Sequence, residues 1–462
     1  MKDLLIKGGL VVSETDEAVR DILVREGTIV SIAPTIVAQG DCETVDARGK
    51  FVLPGGVDAH THLTLDVGFA TVSDDFYTGT VAAAFGGTTT IIDHPGFGPA
   101  GCALEHQIRK YHALAQGKAV VDYGFHGVIQ HVDETVLADM AALTDEGITS
   151  YKVYLTYDYK IADGDVFRVL ERARTLGCVI TVHPENDGVI QHLRERFKRE
   201  GSLTPHYHPR SRPAECEAEA INRMILFAHL AGDAPLYIVH LSNALGLSFI
   251  NAAKARGQGN LYTETCPQYL FLDDSRYELP DNEGLKFIMC PPLRTRADRD
   301  RLMAALVSEI DTVATDHCPF LFKTQKMLGK DDFMKCPSGA PGIEERLPLL
   351  FSEGVMKKQI TLRRFVDLCA ANPARLFGIY PQKGVIKEGS DADIVIIDPT
   401  KQQTLSSATL HANVDYSAYE GMVVQGVFER VISRGETLVK DGAFLGTPGR
   451  GRFLKRKSFY AR

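Results

Sequence analysis

Between residues 57 and 376 short apolar runs alternate with longer amphipathic stretches, and this rhythm limits the fold more than any other property of the chain. A short apolar run suits a strand buried on both faces, and the amphipathic stretch after it suits a helix that covers that strand. The strand candidates are 57–62, 89–92, 123–128, 150–155, 179–183, 236–240, 260–265 and 312–316. Helical stretches between them include 134–146, 166–176 and 214–231. Eight such units point to an α/β fold closed as a (β/α)8 TIM barrel rather than left as an open sheet.

The two chain ends read differently. Residues 4–6, 10–12, 22–24 and 29–32 are short strand candidates broken by turns, and 393–398 and 431–439 resemble them. Neither end has enough apolar residues for its own core, so the two are expected to pair as one β-sandwich. The expected organisation is sandwich over 1–52, barrel over 53–380, and sandwich with a tail over 381–462. The connector 202–213, rich in Pro and His, reads as a solvated loop that carries His206 and His208. The basic tail 450–462 reads as a solvated or subunit-contacting end.

Composition excludes several classes. An apolar fraction of 44% and a charged fraction of 24% belong to a soluble globular chain. A net charge of -8 and a pI near 6.0 give no footprint for nucleic acid or an anionic membrane. The nine cysteines are scattered and form no C-x-x-C pair, which fits a reducing cytoplasm better than a disulfide framework or thiolate cage. The first residues turn acidic too early for a signal peptide, and no apolar run reaches the ~18 residues of a membrane span.

Chemistry in such a barrel sits where the strands end. Strand alternation sends His60 and His62 to the same face. His183, His240 and Asp316 end later strands, and four imidazoles with a carboxylate at one rim suit a divalent metal such as zinc. Lys152 interrupts the apolar strand Tyr151-Lys152-Val153-Tyr154-Leu155. It either snorkels or pairs with an acid, or it is carboxylated by CO2 into an anionic bridge between two ions. His94, His126, His131 and His317 lie near strand ends outside this set, with packing or hydrogen-bonding roles around it.

Pro54-Gly55-Gly56-Val57-Asp58-Ala59-His60-Thr61-His62, Thr88-Thr89-Thr90-Ile91-Ile92-Asp93, Tyr237-Ile238-Val239-His240-Leu241-Ser242 and Ala314-Thr315-Asp316-His317 resemble the cyclic amidohydrolases. Asp74-Asp75-Phe76-Tyr77-Thr78-Gly79-Thr80, Pro291-Pro292-Leu293-Arg294 and Gly339-Ala340-Pro341-Gly342-Ile343-Glu344 extend the resemblance across most of the chain, toward the hydantoinase and dihydropyrimidinase branch. His94 with Gly96-Phe97-Gly98, and the basic tail, look most like bacterial members acting on D-phenylhydantoins.

The resemblance implies two divalent ions per subunit, usually zinc. His60, His62 and Asp316 would hold one and His183 and His240 the other, bridged by N6-carboxylated Lys152 and a hydroxide. It implies a homotetramer, Asp316 as general base and acid, and Tyr157 as oxyanion donor. Cys290 and Ser338 stand where the family contacts the cyclic imide through a serine and an asparagine. Leu65, Phe69 and Tyr154, with Tyr157, are candidates for the wall of an apolar pocket. Dihydroorotase-like relatives follow the histidine pair with an arginine two residues on; here Leu63-Thr64 follows. The expected reaction is opening of 5-monosubstituted hydantoins, D-5-aryl preferred, to N-carbamoyl amino acids. A dihydropyrimidinase or allantoinase-like activity is the alternative, and a non-catalytic assembly relative stands as the different class.

Overall fold

The computed structural model describes residues 2–37 and 40–461. The apolar runs form parallel strands: β1 (Gly56–Thr61), β2 (Thr88–Asp93), β3 (Asp122–Phe125, resumed at Gly127–Val128), β4 (Ser150–Tyr154), β5 (Val179–His183), β6 (Leu236–Ile238), β7 (Leu261–Thr265) and β8 (Thr312–Val313). Each pairs with its sequence neighbour. The circle closes where the chain after β8 returns to β1. There the Asp316 N–H donates to the His60 carbonyl at 2.9 Å and the His62 N–H to the His317 carbonyl at 2.9 Å.

The covering helices follow their sequence pattern. Asp163–Leu176 buries Val166, Val169, Leu170 and Ala173, one face at helical spacing, and ends at Gly177 with φ of +66°. Glu134–Asp145 starts at Asp133, whose carboxylate accepts the Val136 N–H at 2.8 Å.

Both chain ends enter one nine-stranded sheet. Phe51–Pro54 lies between Asp3–Val12 and the antiparallel Ile394–Thr404, with Val52 opposite Ile396. Leu4, Ile6, Ile22 and Val24 pack with Ile386, Ile394, Ile396 and Ile432 in a core separate from that of the barrel. The fold is therefore the TIM barrel plus β-sandwich that the two ends implied. The candidates 4–6 and 10–12 are one strand, because a bulge between Ile6 and Gly9 absorbs Gly8 at φ of +70°.

Two expectations fail. The connector is not a loop: Pro205–Tyr207 is a 3-10 turn and His208–Ser211 a helical turn, each with proline in its first positions. His208 is buried, with Nε2 2.8 Å from the Met289 carbonyl, whereas His206 stays at the surface. Nor is the tail simply solvated. It crosses the starting ends of the barrel strands, with the Tyr123 N–H donating to Arg452 and the Leu454 N–H to Tyr123. Arg456 is buried, and its guanidinium donates to Ser150 Oγ and the Phe125 carbonyl. A fork of fixed donors suits the acceptors left over where strands begin. Arg462 lies outside the described residues. Among these, no helix is long and apolar enough to cross a membrane.

Candidate metal centre

The strand ends carry His60, His62, Lys152, His183, His240 and Asp316 to one mouth of the barrel. The first five are buried, and the Asp316 side chain, 14% exposed, faces the opening. Asp316 Oδ1 lies 3.2 Å from His60 Nε2 and 3.1 Å from His62 Nε2. On the other side His183 Nδ1 and His240 Nε2 approach to 2.9 Å. Lys152 Nζ lies 3.5 Å from His60 Nε2.

Carboxylates outside this set decide which imidazole nitrogens face inward. Glu264 Oε1 lies 2.7 Å from His60 Nδ1, and Glu185 Oε2 lies 2.6 Å from His183 Nε2. Each carboxylate takes an N–H and leaves the opposite lone pair turned to the centre. Burial pushes the Glu264 carboxyl up to about 8, against the His240 N–H, the Lys152 charge and the Tyr237 hydroxyl, all of which favour the anion. Glu185 is held down to about 2 despite its burial, first by Arg212 and then by His183. Neither acid figured in the sequence reading. The one signal that could have found Glu264 is that it is the single acid inside the strand candidate 260–265.

Left-handed backbone also occurs at the site. His240 has φ of +40°, Asp316 +53° and Tyr157 +71°, a region that side chains other than glycine rarely adopt. Such conformations survive where surrounding contacts impose them, and functional sites are where they gather. They also explain why β6 and β8 end before the residues they deliver.

Lys152 sits among these donors. It is neither snorkelling nor paired with an acid: it is 1% exposed, and among the described residues it makes no ion pair. Burial pushes its ammonium down to about 8, although Asp316 and Glu264 draw it upward. The Nδ1 atoms of His62 and His240, across each ring from the Nε2 that faces Asp316 or His183, are buried without partners. His60 Nε2, His62 Nε2, His183 Nδ1 and His240 Nε2 gather with Asp316 around a desolvated amine, a set of donors that divalent cations would satisfy. The donor set fits divalent metal.

The candidate substrate residues divide. Tyr157 stands beside the centre, its ring 5.2 Å from that of His183, with the Arg212 guanidinium 5.4 Å from its centroid. The Cys290 thiol neighbours the Tyr157 hydroxyl and lies 3.5 Å from Ser338 Oγ, so these three share one edge of the mouth. Tyr154 stacks on His183 at 5.9 Å and meets Phe97 at a tilt, 5.3 Å between centroids. Phe97 stacks in turn on Tyr159 at 3.8 Å, an aromatic wall the sequence reading missed. Leu65 packs with Val72, Cys318 and Phe320. Phe69, in the same segment, is 62% exposed.

Most remaining histidines are accounted for. His126 is held at both nitrogens, by the Ala59 carbonyl at 2.9 Å and Ser150 Oγ at 2.7 Å. His317 Nε2 lies 2.9 Å from Asp74, and its Nδ1 accepts from Gly342 and Ile343. His131 sits at the margin, 3.8 Å from Asp133. His94 is the exception, with neither ring nitrogen partnered.

A barrel with imidazoles, a carboxylate and a buried lysine converging on its mouth defines a metal-dependent hydrolase scaffold. The chain belongs to the amidohydrolase family, whose model matches residues 51–438. It is 52% identical over 457 residues to a D-phenylhydantoinase of Escherichia coli O1:K1 / APEC, spanning 99% of this chain and 98% of the relative. The crystal structure of a dihydropyrimidinase from Brevibacillus agri NCHU1002 is similar at a TM-score of 0.96, with 45% identity and 99% of both chains covered. So is a D-hydantoinase from Bacillus sp. AR9, at 0.96, with 44% identity and 99% of both chains covered. The chain is thus a cyclic amidohydrolase, and its family implies a binuclear metal centre.

Proposed function

We propose that the chain opens the ring amide of 5-monosubstituted hydantoins, D-5-aryl hydantoins above all, to give N-carbamoyl amino acids. The observation that carries this reading is the convergence of Asp316 on His60 and His62, beside His183, His240 and a buried Lys152 without an acid partner. The barrel residues 53–380 carry the reaction, and the sandwich of 1–52 and 381–462 supports it.

His60, His62 and Asp316 hold one divalent ion in this proposal, His183 and His240 the second, and Lys152 both, once carboxylated. Carboxylation joins the amine nitrogen to the carbon of CO2 with loss of a proton, and a desolvated amine near neutral pKa is suited to it. Divalent ions so held, zinc by the family resemblance, would make a water acidic enough to attack at neutral pH and would polarise the ring carbonyl. Asp316 takes the proton of the attacking water and returns it to the ring nitrogen as the C–N bond breaks. Tyr157 donates its hydroxyl to the oxyanion. Cys290 and Ser338 border the ring, where backbone groups tolerate the changed side chains. Tyr154, Phe97 and Tyr159 offer the aryl substituent an aromatic wall. The enzyme is assigned to the cytoplasm as a homotetramer, in line with its lack of a disulfide pattern and with the family resemblance.

Rates on D- and L-5-phenylhydantoin, dihydrouracil and allantoin test the assignment. The D-phenyl compound should be opened fastest. A clear preference for dihydrouracil would make the chain a dihydropyrimidinase, and no turnover with no bound metal would return the non-catalytic reading.

A further inference from the structure

We infer that Lys326 is a positioning residue for the substrate ring, its ammonium clasping the two backbone segments that carry Cys290 and Ser338. The inference rests on the ring-opening reading above. Lys326 opens a short 3-10 turn, Lys326–Gly329, and its side chain is fully buried. Nζ donates to the Ile288 carbonyl at 2.7 Å and to the Pro337 carbonyl at 2.9 Å, and it lies 5.9 Å from the centroid of the Phe320 ring. Burial pushes its pKa below the ordinary lysine value, and no carboxylate draws it back up. Taking an ammonium out of water is costly, and two carbonyls offset less of that cost than a carboxylate would. Packing alone therefore accounts poorly for a charge at this position.

The two carbonyls show what the charge acts on. Ile288 stands two residues before Cys290, and Pro337 immediately before Ser338. The Ile288 carbonyl also accepts the Gly339 N–H at 3.0 Å, and Cys290 Sγ lies 3.5 Å from Ser338 Oγ, so the two segments meet as one edge. His208 Nε2 holds that edge from another element, 2.8 Å from the Met289 carbonyl. The Cys318 N–H donates to the Ala340 carbonyl at 3.0 Å and ties the edge to the chain just past Asp316. In a trans peptide unit the carbonyl and the N–H point in opposite directions. An ammonium drawing on the Ile288 and Pro337 carbonyls therefore makes the Met289 and Ser338 N–H groups stronger donors on the side away from itself. Among the described residues neither N–H has an acceptor. A cyclic diamide carries carbonyl oxygens that suit such donors, whatever substituent its ring bears.

The test compares the metal-loaded wild-type enzyme with Lys326→Met and Lys326→Gln on 5-phenylhydantoin, unsubstituted hydantoin and dihydrouracil, with metal content and Tm measured for each form. In Lys326→Met, KM should rise about tenfold for every ring that wild type opens, with kcat within about threefold, because the lost contact serves the ring rather than the chemical step. Lys326→Gln keeps a neutral N–H donor and should fall between. If only Lys326→Gln folds, its KM decides. An unchanged KM in a folded, metal-loaded variant would overturn the inference, as would a rise confined to the aryl substrate. So would a fall in kcat with KM unchanged, loss of metal from either variant, or failure of both to fold, since Lys326 would then serve the centre or the fold. A wild type that opens none of the three rings would remove the ring-opening reading and this inference with it, whereas an active wild type with indifferent variants removes the inference alone.

Discussion

Two fully buried lysines stand on opposite sides of the same barrel, and their surroundings could hardly differ more. Lys383, where the barrel meets the sandwich, lies 2.6 Å from Asp122, 3.0 Å from Asp391 and 2.9 Å from Asp393. Those carboxylates raise its pKa above the ordinary lysine value in spite of burial. Lys152, at the mouth, has no carboxylate within ion-pair distance among the described residues, and burial pushes it down to about 8. Arg346 sides with Lys383: its guanidinium donates to the Val57 and Val313 carbonyls and to Thr88. A buried charge surrounded by acceptors holds structure together, and one without a counter-charge is the kind found at functional sites.

Substitutions break this contrast in graded ways. Asp316→Asn keeps the shape and removes the proton carrier, so kcat on 5-phenylhydantoin should fall about 10²–10⁴-fold with Tm nearly unchanged. Lys383→Met should do the reverse. It strands the surrounding carboxylates and should lower stability by about 3–5 kcal/mol in denaturant titrations, leaving kcat of the folded enzyme intact. The pH dependence follows from the same pair. A raised folded pKa means that the Lys383 contribution is complete below the ordinary lysine value of 10.5 and fades as pH climbs through the raised one. Wild type should therefore lose stability on the alkaline side above pH 10.5 more steeply than Lys383→Met.

Smaller effects sharpen the account of the mouth. Glu264→Leu removes the acceptor that orients His60 and should weaken metal retention about 10–100-fold against a chelator. Phe97→Ala should cost about tenfold in kcat/KM on phenylhydantoin and little on an unsubstituted ring. Phe69→Ala, at an exposed position, should leave both rates as they are.

What the sequence made legible follows from period and spacing. The strands and the helix faces were readable because apolar residues recur at intervals that only one geometry satisfies. Five of the six candidate ligands stand at or just past strand ends, and Lys152 stood out as a charge inside an apolar strand. Glu264 and Glu185 were hidden because an acid gains meaning only from the imidazole it faces, which is set by residues far away in sequence. The truncation of β6 and β8 was hidden too, since the left-handed backbone at His240 and Asp316 is imposed by tertiary contact. Arg456 and His208 misled for one reason: polarity suggested solvent, and each found acceptors inside. Phe97 and Tyr159 form a wall only because two loops meet.

The most direct measurement is a diffraction experiment on the purified enzyme, with anomalous data collected at a metal absorption edge. The account predicts two anomalous peaks at the barrel mouth, one beside His60, His62 and Asp316 and one beside His183 and His240, with branched density extending Lys152 beyond Nζ. A bare lysine amine at a mouth without either peak would contradict it.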